Sequence, residues 1–300
     1  MLNRIRIGKA RRGDLGIEHP SDYDILKTRL LSEIKIHCPK EFEKFKDAPI
    51  VVTKKFLRDA INESKARSFA YDSKQKFEVY KAHDSISGKK ATSDQQKCLW
   101  KMQSTHTNDA LGELPLIPGM PVMITDNAAM SCKIVNGSRG TLKSIHYEAD
   151  SEGNRYALYA LVDLPGNALH VPGLQADVVP ILPITSGFKF HTKEISFSIR
   201  RKQLPILPGW AFTDFKVQGS LISPVIVDLT WAKSLQSIYV MLSRASTLKD
   251  VAVLRWFSSK TLNSDLQGDA RDELKRLSLV AAETRKRFIS STSKQSKSKE

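Results

Sequence analysis

The stretch that decides the fold contains WAFTDFKVQGS (Trp210–Ser220), PVIVDL (Pro224–Leu229) and IYVMLSRAS (Ile238–Ser246). Two short apolar runs, Val225–Leu229 and Val251–Leu254, have the length and the β-branched content of buried parallel strands. Open α/β sheets bind ligands where their strands end and helices begin. We therefore expect a phosphate-reading surface formed by the polar residues beside these strands: Thr213, Lys216, Gln218, Gly219, Ser243 and Arg244.

The order and spacing of these residues resemble motifs V and VI of superfamily 1 DNA helicases of the PIF/Helitron branch. Thr-x-x-Lys-x-Gln-Gly at Thr213–Gly219 resembles motif V, and YVMLSRA at Tyr239–Ala245 resembles motif VI. In that family the motif VI arginine reaches the γ-phosphate of ATP. The resemblance implies that Arg244 is a catalytic arginine finger and that Gly219 and Ser243 lie beside the nucleotide. The alternative is that Ser243 and Arg244 only cap or decorate a helix.

Single-stranded DNA is the partner that the resemblance implies for motif V. In the family, motif V contacts single-stranded DNA, and a threonine at the position of Thr53 touches the DNA backbone. The DNA-binding residues expected from the resemblance and from the basic strand before motif V are Thr53, Lys54, Arg201, Thr213, Lys216 and Gln218. Phe197 or Trp210 would add stacking surfaces, or would belong to the core. Phe215 and Leu221 replace a histidine and a threonine that are usual in motif V.

Composition agrees with a polyanionic partner. Lys and Arg total 47 against 32 Asp and Glu, a formal net charge of +15. The cysteines, Cys38, Cys98 and Cys132, form no Cys-x-x-Cys pair, so we expect no disulfide framework and no metal site. No apolar run approaches the ~18 residues of a membrane span. We expect an intracellular protein without a membrane partner, nuclear or mitochondrial if it is functional.

The chain before motif V predicts further local structure. Ser21 is the expected N-cap of a helix, and Thr53 is expected to cap a second helix after the strand Ala48–Thr53. The period changes between Leu114 and Phe190, where strand-like runs and an Asn136-Gly137 turn signal indicate a small antiparallel barrel. An SH3-like subdomain sits at this place in the PIF/Helitron family.

The fold class that follows is α/β: a RecA-like parallel-sheet domain with an inserted small SH3-like β-barrel. We expect the first part of the second RecA-like helicase domain at 1–113, the SH3-like insert at 114–190, the remainder with motifs V and VI at 191–260, a C-terminal helix at 261–289 and a disordered tail at 290–300. The predicted helix has Ala270, Leu274, Leu277 and Ala281 on one face.

Two motifs of an intact helicase are missing from the sequence. Neither Gly-x-x-x-x-Gly-Lys-Ser/Thr nor an apolar strand ending in Asp-Glu occurs. The resemblance implies the C-terminal portion of an ATP-dependent 5′-to-3′ helicase, with ATP and Mg²⁺ as cofactors of the intact family and none bound tightly by this chain alone. A partner chain would then carry the missing half. The alternatives are a non-catalytic nucleic-acid-binding protein derived from a transposon helicase, and a gene remnant.

Overall fold

The computed structural model describes residues 1–10, 20–191 and 196–296. Its helices are α1 (Leu2–Arg6), α2 (Asp22–Lys27), α3 (Leu31–His37), α4 (Pro39–Phe42), α5 (Lys55–Asp72), α6 (Ser93–Trp100), α7 (Leu235–Leu242), α8 (Ser259–Leu262) and α9 (Gly268–Ser296). Its strands are β1 (Ile50–Val52), β2 (Val79–Lys81), β3 (His83–Ile86), β4 (Lys89–Lys90), β5 (Glu113–Pro115), β6 (Pro121–Ile124), β7 (Arg139–Ala149), β8 (Arg155–Asp163), β9 (Val178–Ile181), β10 (Ile184–His191), β11 (Ser196–Gln203), β12 (Ile206–Pro208), β13 (Ala211–Thr213), β14 (Val225–Val227) and β15 (Val251–Val253). The mixture of helices and strands confirms the α/β class.

A four-stranded parallel sheet has the order β13-β1-β14-β15. Its strands are short and fully buried, as the apolar runs predict. Alternate residues face opposite layers. Val51 and Val227 pack in the same core cluster as α7, whereas Val52 and Ile226 pack in a second cluster with Ile34. Helices therefore cover both faces of the sheet, which is why its strands are apolar except for Thr213 at the end of β13.

A nearly closed, barrel-like sheet has the order β12-β6-β7-β8-β2-β5, with β9 added on β8. Strands β6 and β7 pair antiparallel, as the turn signal predicts, and Gly137 between them has φ +95°. That angle is readily accessible only to glycine. Strand β9 contains Pro180 and pairs only with β8 among the described strands, as is typical of an edge strand interrupted by proline. Strands β2 and β12, outside 114–190, complete the sheet.

A third sheet, of order β10-β11-β3-β4, is antiparallel throughout. Its inner face packs against α6, where Phe188 and Ile199 share a core cluster with Leu99. The opposite face is exposed to solvent. Helix α6 begins with a capping box in which Thr92 and Gln95 satisfy each other's backbone N–H groups.

The helix ends test two local predictions. Ser21 caps α2 by accepting a hydrogen bond from the backbone of Asp24, as predicted. Helix α9 extends through the start of the predicted tail to Ser296, because neither proline nor glycine interrupts it; residues 297–300 lie outside the described range. On its predicted apolar face Leu274 packs against the core, whereas Leu277 is 46% exposed.

None of the helices in the described ranges is long and apolar enough to cross a membrane.

Candidate nucleic-acid interface and arginine site

The candidate site lies at the edge of the parallel sheet where its strands end. Thr53 follows β1 directly, and Thr213 is the last residue of the neighbouring β13. Val52 pairs with Thr213 in the register of these strands. Asp228 follows β14, which pairs with β1 on its other side. Thr53, Thr213 and Asp228 therefore share the edge at which open parallel sheets bind ligands.

Thr53 carries a hydroxyl that the fold leaves unused. Its Oγ1 is buried and has no hydrogen-bond partner among the described residues. The chain stays extended through Lys54, which is the N-cap of α5, and no side chain caps this helix. The prediction that Thr53 caps the helix is therefore wrong by one residue. Because an unsatisfied buried hydroxyl costs about 1–3 kcal/mol, Thr53 and the half-buried Lys54 beside the uncapped helix start are candidate ligand contacts.

A charged network joins the start of α5 to the segment before β5, and nothing in the sequence pattern points to it. Arg58 is fully buried, and its guanidinium donates to Asp109 at 2.9 Å and to Ser104 at 3.0 Å. Asp59 lies 2.7 Å from the same guanidinium, and Lys55 Nζ lies 3.0 Å from Asp109. The polar stretch before β5, whose composition is typical of a surface loop, is thus fixed to α5.

The network gives Asp109 an altered acidity. Burial alone would raise the pKa of Asp109, but the charge of and hydrogen bonds from Arg58 and Lys55 outweigh burial and hold this pKa below its ordinary value. Since the folded-state pKa is the lower one, ionised Asp109 stabilises the fold above the unfolded-state pKa of about 3.9. That contribution is lost as the pH falls through the folded-state pKa.

Replacing Asp109 with asparagine should reduce the free energy of unfolding near neutral pH, and the deficit relative to the unmodified chain should shrink below about pH 4. Asparagine tolerates the left-handed backbone of this residue, φ +67°. Urea denaturation from pH 3 to pH 7 measures the effect. The exposed Asp72 offers the control D72N. A deficit for D109N that is constant across the whole range would contradict the assignment.

Lys216 connects motif V to the barrel-like sheet. Its Nζ lies 3.0 Å from Asn136 Oδ1 and 3.5 Å from the carbonyl oxygen of Thr125, both in the connection between β6 and β7. Burial, above all, lowers the pKa of Lys216. The ammonium group thus lies between the parallel sheet and the barrel-like sheet.

The turn formed by residues 214–220, which we call the motif V turn, contains the most exposed residues of the site. Gln218 and Gly219 are exposed, and Gly219 has φ +82°, a left-handed angle that favours glycine. Phe215 is 81% exposed. Asp214 holds the turn against α7 by accepting a hydrogen bond from Ser237 Oγ at 2.7 Å. The turn therefore presents an aromatic ring and an amide side chain to solvent.

Arg244 joins motif VI to motif V. Its guanidinium donates to the carbonyl oxygens of Val217 and Ser220, both at 2.9 Å, and to that of Val240 at 2.6 Å. Ser243 Oγ accepts a further hydrogen bond from it at 2.8 Å. Arg244 is buried, and burial lowers its pKa. In this arrangement Arg244 fixes the motif V turn to the end of α7, and its guanidinium faces the chain's own carbonyl groups.

Arg201, expected to bind DNA, is placed in the interior. Its side chain is 0% exposed, and its guanidinium binds Asp84 through hydrogen bonds of 2.7 and 2.9 Å. The neighbours Arg200 and Lys202 are exposed on the opposite face of β11, because side chains alternate along a strand. Arg201 therefore does not belong to a DNA-facing surface.

The aromatic residues also differ from expectation. Trp210 is half-buried and packs on Phe69, with ring centroids 5.8 Å apart. Sequence reasoning overlooked Trp231 and Trp256, which are 49% and 66% exposed. They lie just beyond β14 and β15, so their position after these strands was the signal that could have identified them. Thr230 beside Trp231 donates a hydrogen bond to the carbonyl oxygen of Trp256 at 3.3 Å, which brings the two loops together.

The described residues contain no group of three His, Cys, Asp or Glu side chains that could hold a metal ion. At the sheet edge, the carboxylate of Asp228 forms an ion pair with Arg255, with 2.7 Å between Oδ2 and Nη2. Hydrogen bonds to the buried Asp228 raise the pKa of Arg255. The edge thus supplies hydroxyl, amide and cationic groups, which suit phosphate oxygens.

Solved structures of Pif1 helicases resemble this chain, whereas no protein-family model and no curated protein matches it. The Pif1 helicase from Candida albicans has a TM-score of 0.55 and 20% identity, over 92% of this chain and 56% of that one. The Bacteroides Pif1 helicase solved with ADP-AlF3 and ssDNA has a TM-score of 0.56 and 18% identity, over 92% and 52%. The chain therefore has the fold of Pif1 helicases over about half of their length.

Proposed function

We propose that this chain acts as the C-terminal portion of an ATP-dependent 5′-to-3′ DNA helicase of the PIF/Helitron kind. It binds single-stranded DNA and contributes one side of an ATP site. The observation that carries the proposal is the meeting of Thr53, Thr213 and the motif V turn at one edge of the parallel sheet, with Arg244 bound to that turn. The similarity to a Pif1 helicase bound to ssDNA supports the same partner.

Single-stranded DNA would lie along this edge. Rotation of the Thr53 side chain would present its unpaired hydroxyl to a phosphate, beside the free backbone N–H groups at the start of α5. Lys216 would contribute positive charge, and the exposed Gln218 would contribute an amide. Phe215, exposed at the motif V turn, offers a face on which a base can stack.

The ATP site would be shared with an ATPase domain that carries the phosphate-binding loop. From this chain, Arg244 would stabilise the γ-phosphate, with Ser243 and Gly219 beside it. Arg244 would first exchange its hydrogen bonds to Val217 and Ser220 for bonds to phosphate oxygens. Because the same arginine holds the motif V turn, the turn would lose these hydrogen bonds when Arg244 binds phosphate. This gives a physical route from nucleotide binding to DNA contact. We assign no magnesium ligand to this chain.

A fluorescence-anisotropy titration of the chain with a single-stranded oligonucleotide tests the DNA site. Affinity should fall with salt and should not depend on ATP. In the variant Lys216→Gln, the slope of log affinity against log salt should decrease in magnitude by about 0.7, since one cation no longer displaces counterions from single-stranded DNA. The exposed Lys286 on α9 provides the matched control K286Q.

The control should retain the salt slope of the unmodified chain. Absence of binding by the folded chain, or affinity that is the same at low and moderate salt, would rule out the proposed DNA site. An equal change in K216Q and K286Q would mean that overall charge, not the sheet edge, attracts DNA.

A non-catalytic nucleic-acid-binding protein is the second candidate function. The engagement of Arg244 with backbone carbonyl groups favours it, because the guanidinium already has a structural use. The two candidates predict the same DNA titration. They differ when a phosphate-loop ATPase domain is supplied, since only the helicase portion would then support ATP hydrolysis.

A further inference from the structure

The solvent-facing side of the third sheet carries a group of four cations. Arg200 on β11 pairs with Ser85 on β3, and Ser85 pairs with Lys90 on β4, so Arg200 and Lys90 lie in one row across the strands. Lys202 lies two residues further along β11, on the same face. Lys189 on β10 shares that face further along the sheet. We call Lys90, Lys189, Arg200 and Lys202 the basic sheet face.

These four cations are exposed, and among the described residues none of them forms an ion pair. The acidic residue within the four strands is Asp84, which points to the opposite face and is neutralised by Arg201. At the margin, Glu148 lies 3.9 Å from His83 Nε2, and Glu148, Asp150 and Glu152 border a pocket that Lys90 also lines. The middle of the basic sheet face therefore has positive charge without a compensating carboxylate in the described strands.

The shape and composition of this surface restrict the classes of partner that it can bind. Thr185, Arg200 and Lys202 line a shallow depression of about 360 Å³, which is open to solvent. The three phenylalanines of the same strands, Phe188, Phe190 and Phe197, belong to the inner face by strand alternation. With no large apolar group to insert, the face is unsuited to anchoring in a lipid bilayer. At the margin His83 and Tyr156 already stack on each other, with ring centroids 4.0 Å apart. On this side the four strands themselves carry no phenylalanine, tyrosine or tryptophan on which unpaired bases could stack.

We propose that the basic sheet face binds the phosphate backbone of a nucleic-acid duplex, independently of the sheet edge described above. Duplex DNA carries one negative charge per about 1.7 Å of its axis, so a group of cations on one flat face meets several phosphates at once. Contacts to phosphates alone carry no sequence information. The partner is therefore a duplex of any sequence, and the site does not depend on the helicase function of the chain.

The test uses the full chain and a blunt DNA duplex without single-stranded ends. The variant K90Q/R200Q/K202Q removes three cations of the basic sheet face. The control K40Q/K260Q/K286Q removes three exposed cations from α4, α8 and α9. In the first variant the slope of log affinity against log salt should decrease in magnitude by about 2.7, at about 0.9 for each lost phosphate contact. The control should keep the slope of the unmodified chain.

Two parallel titrations use, separately, a single-stranded oligonucleotide and vesicles rich in phosphatidylserine. The first variant should keep most of its single-strand affinity, because the sheet edge is unchanged. Several results would overturn the proposal: no duplex binding by the unmodified chain, equal losses in both variants, a loss confined to single strands, or a loss confined to vesicles. Failure of single-strand binding with duplex binding intact would instead count against the sheet edge alone. Circular dichroism confirms that each variant is folded.

Discussion

Replacing Arg244 with alanine should lower ATP turnover by a factor of about 10³–10⁵ when this chain is joined to a phosphate-loop ATPase domain of the helicase family. An arginine finger acts on charge that develops at the transferred phosphoryl group, so its loss slows hydrolysis more than it weakens nucleotide binding. Steady-state hydrolysis with saturating single-stranded DNA measures the effect. Nucleotide affinity, measured separately by fluorescence, should change far less.

The same arginine also has a structural use, which the experiment must separate from catalysis. Removing it leaves the carbonyl oxygens of Val217 and Ser220 without their donor, at a cost of about 1–3 kcal/mol in stability. Turnover should therefore be compared well below the unfolding temperatures of both proteins. The exposed Arg276 on α9 offers the control R276A, which should keep full turnover. A folded R244A protein with turnover within tenfold of the original would refute the arginine-finger role.

The parallel sheet could be predicted because its signal is local. The run containing Val225 and Val227 is apolar at every position, as a strand covered on both faces must be. The barrel strands were predictable for a related reason, since alternation and the Asn136-Gly137 turn lie within a short window. Such patterns report the burial of one segment, and burial is what selects apolar residues.

The site was harder to predict because its decisive contacts join distant segments. The Arg58–Asp109 pair connects residues 51 positions apart, in a stretch whose composition is typical of a loop. Arg201 was assigned to DNA because three consecutive cations suggest a basic surface. Only the register of β11 against β3 reveals that the middle one is opposite Asp84 and faces inward. Motif spacing pointed to Thr53 and Arg244, but it could not show that Thr53 Oγ1 is buried without a partner among the described residues or that Arg244 donates to backbone carbonyl oxygens.

The Arg201–Asp84 pair should have the largest effect on stability. Both side chains are 0% exposed. Arg201 also donates to the carbonyl oxygens of Leu99 at 2.7 Å and Ala110 at 3.0 Å, so it fixes the end of α6 to the third sheet. Asp84→Ala leaves a buried guanidinium without its counter-charge, and we expect a loss of about 3–5 kcal/mol in the free energy of unfolding. Urea denaturation monitored by circular dichroism measures it.

The double variant D84L/R201M should recover much of that loss, because a buried ion pair can be replaced by apolar side chains without a desolvation penalty. The recovery should be incomplete, since the carbonyl oxygens of Leu99 and Ala110 then lack their donor. Glu63→Ala, which breaks an exposed pair with Arg67 on α5, should cost no more than about 1 kcal/mol. If D84A were as mild as E63A, the guanidinium would have to reach water without its partner, and the interior position of Arg201 would be wrong. A basic surface containing Arg201 would then again be tenable.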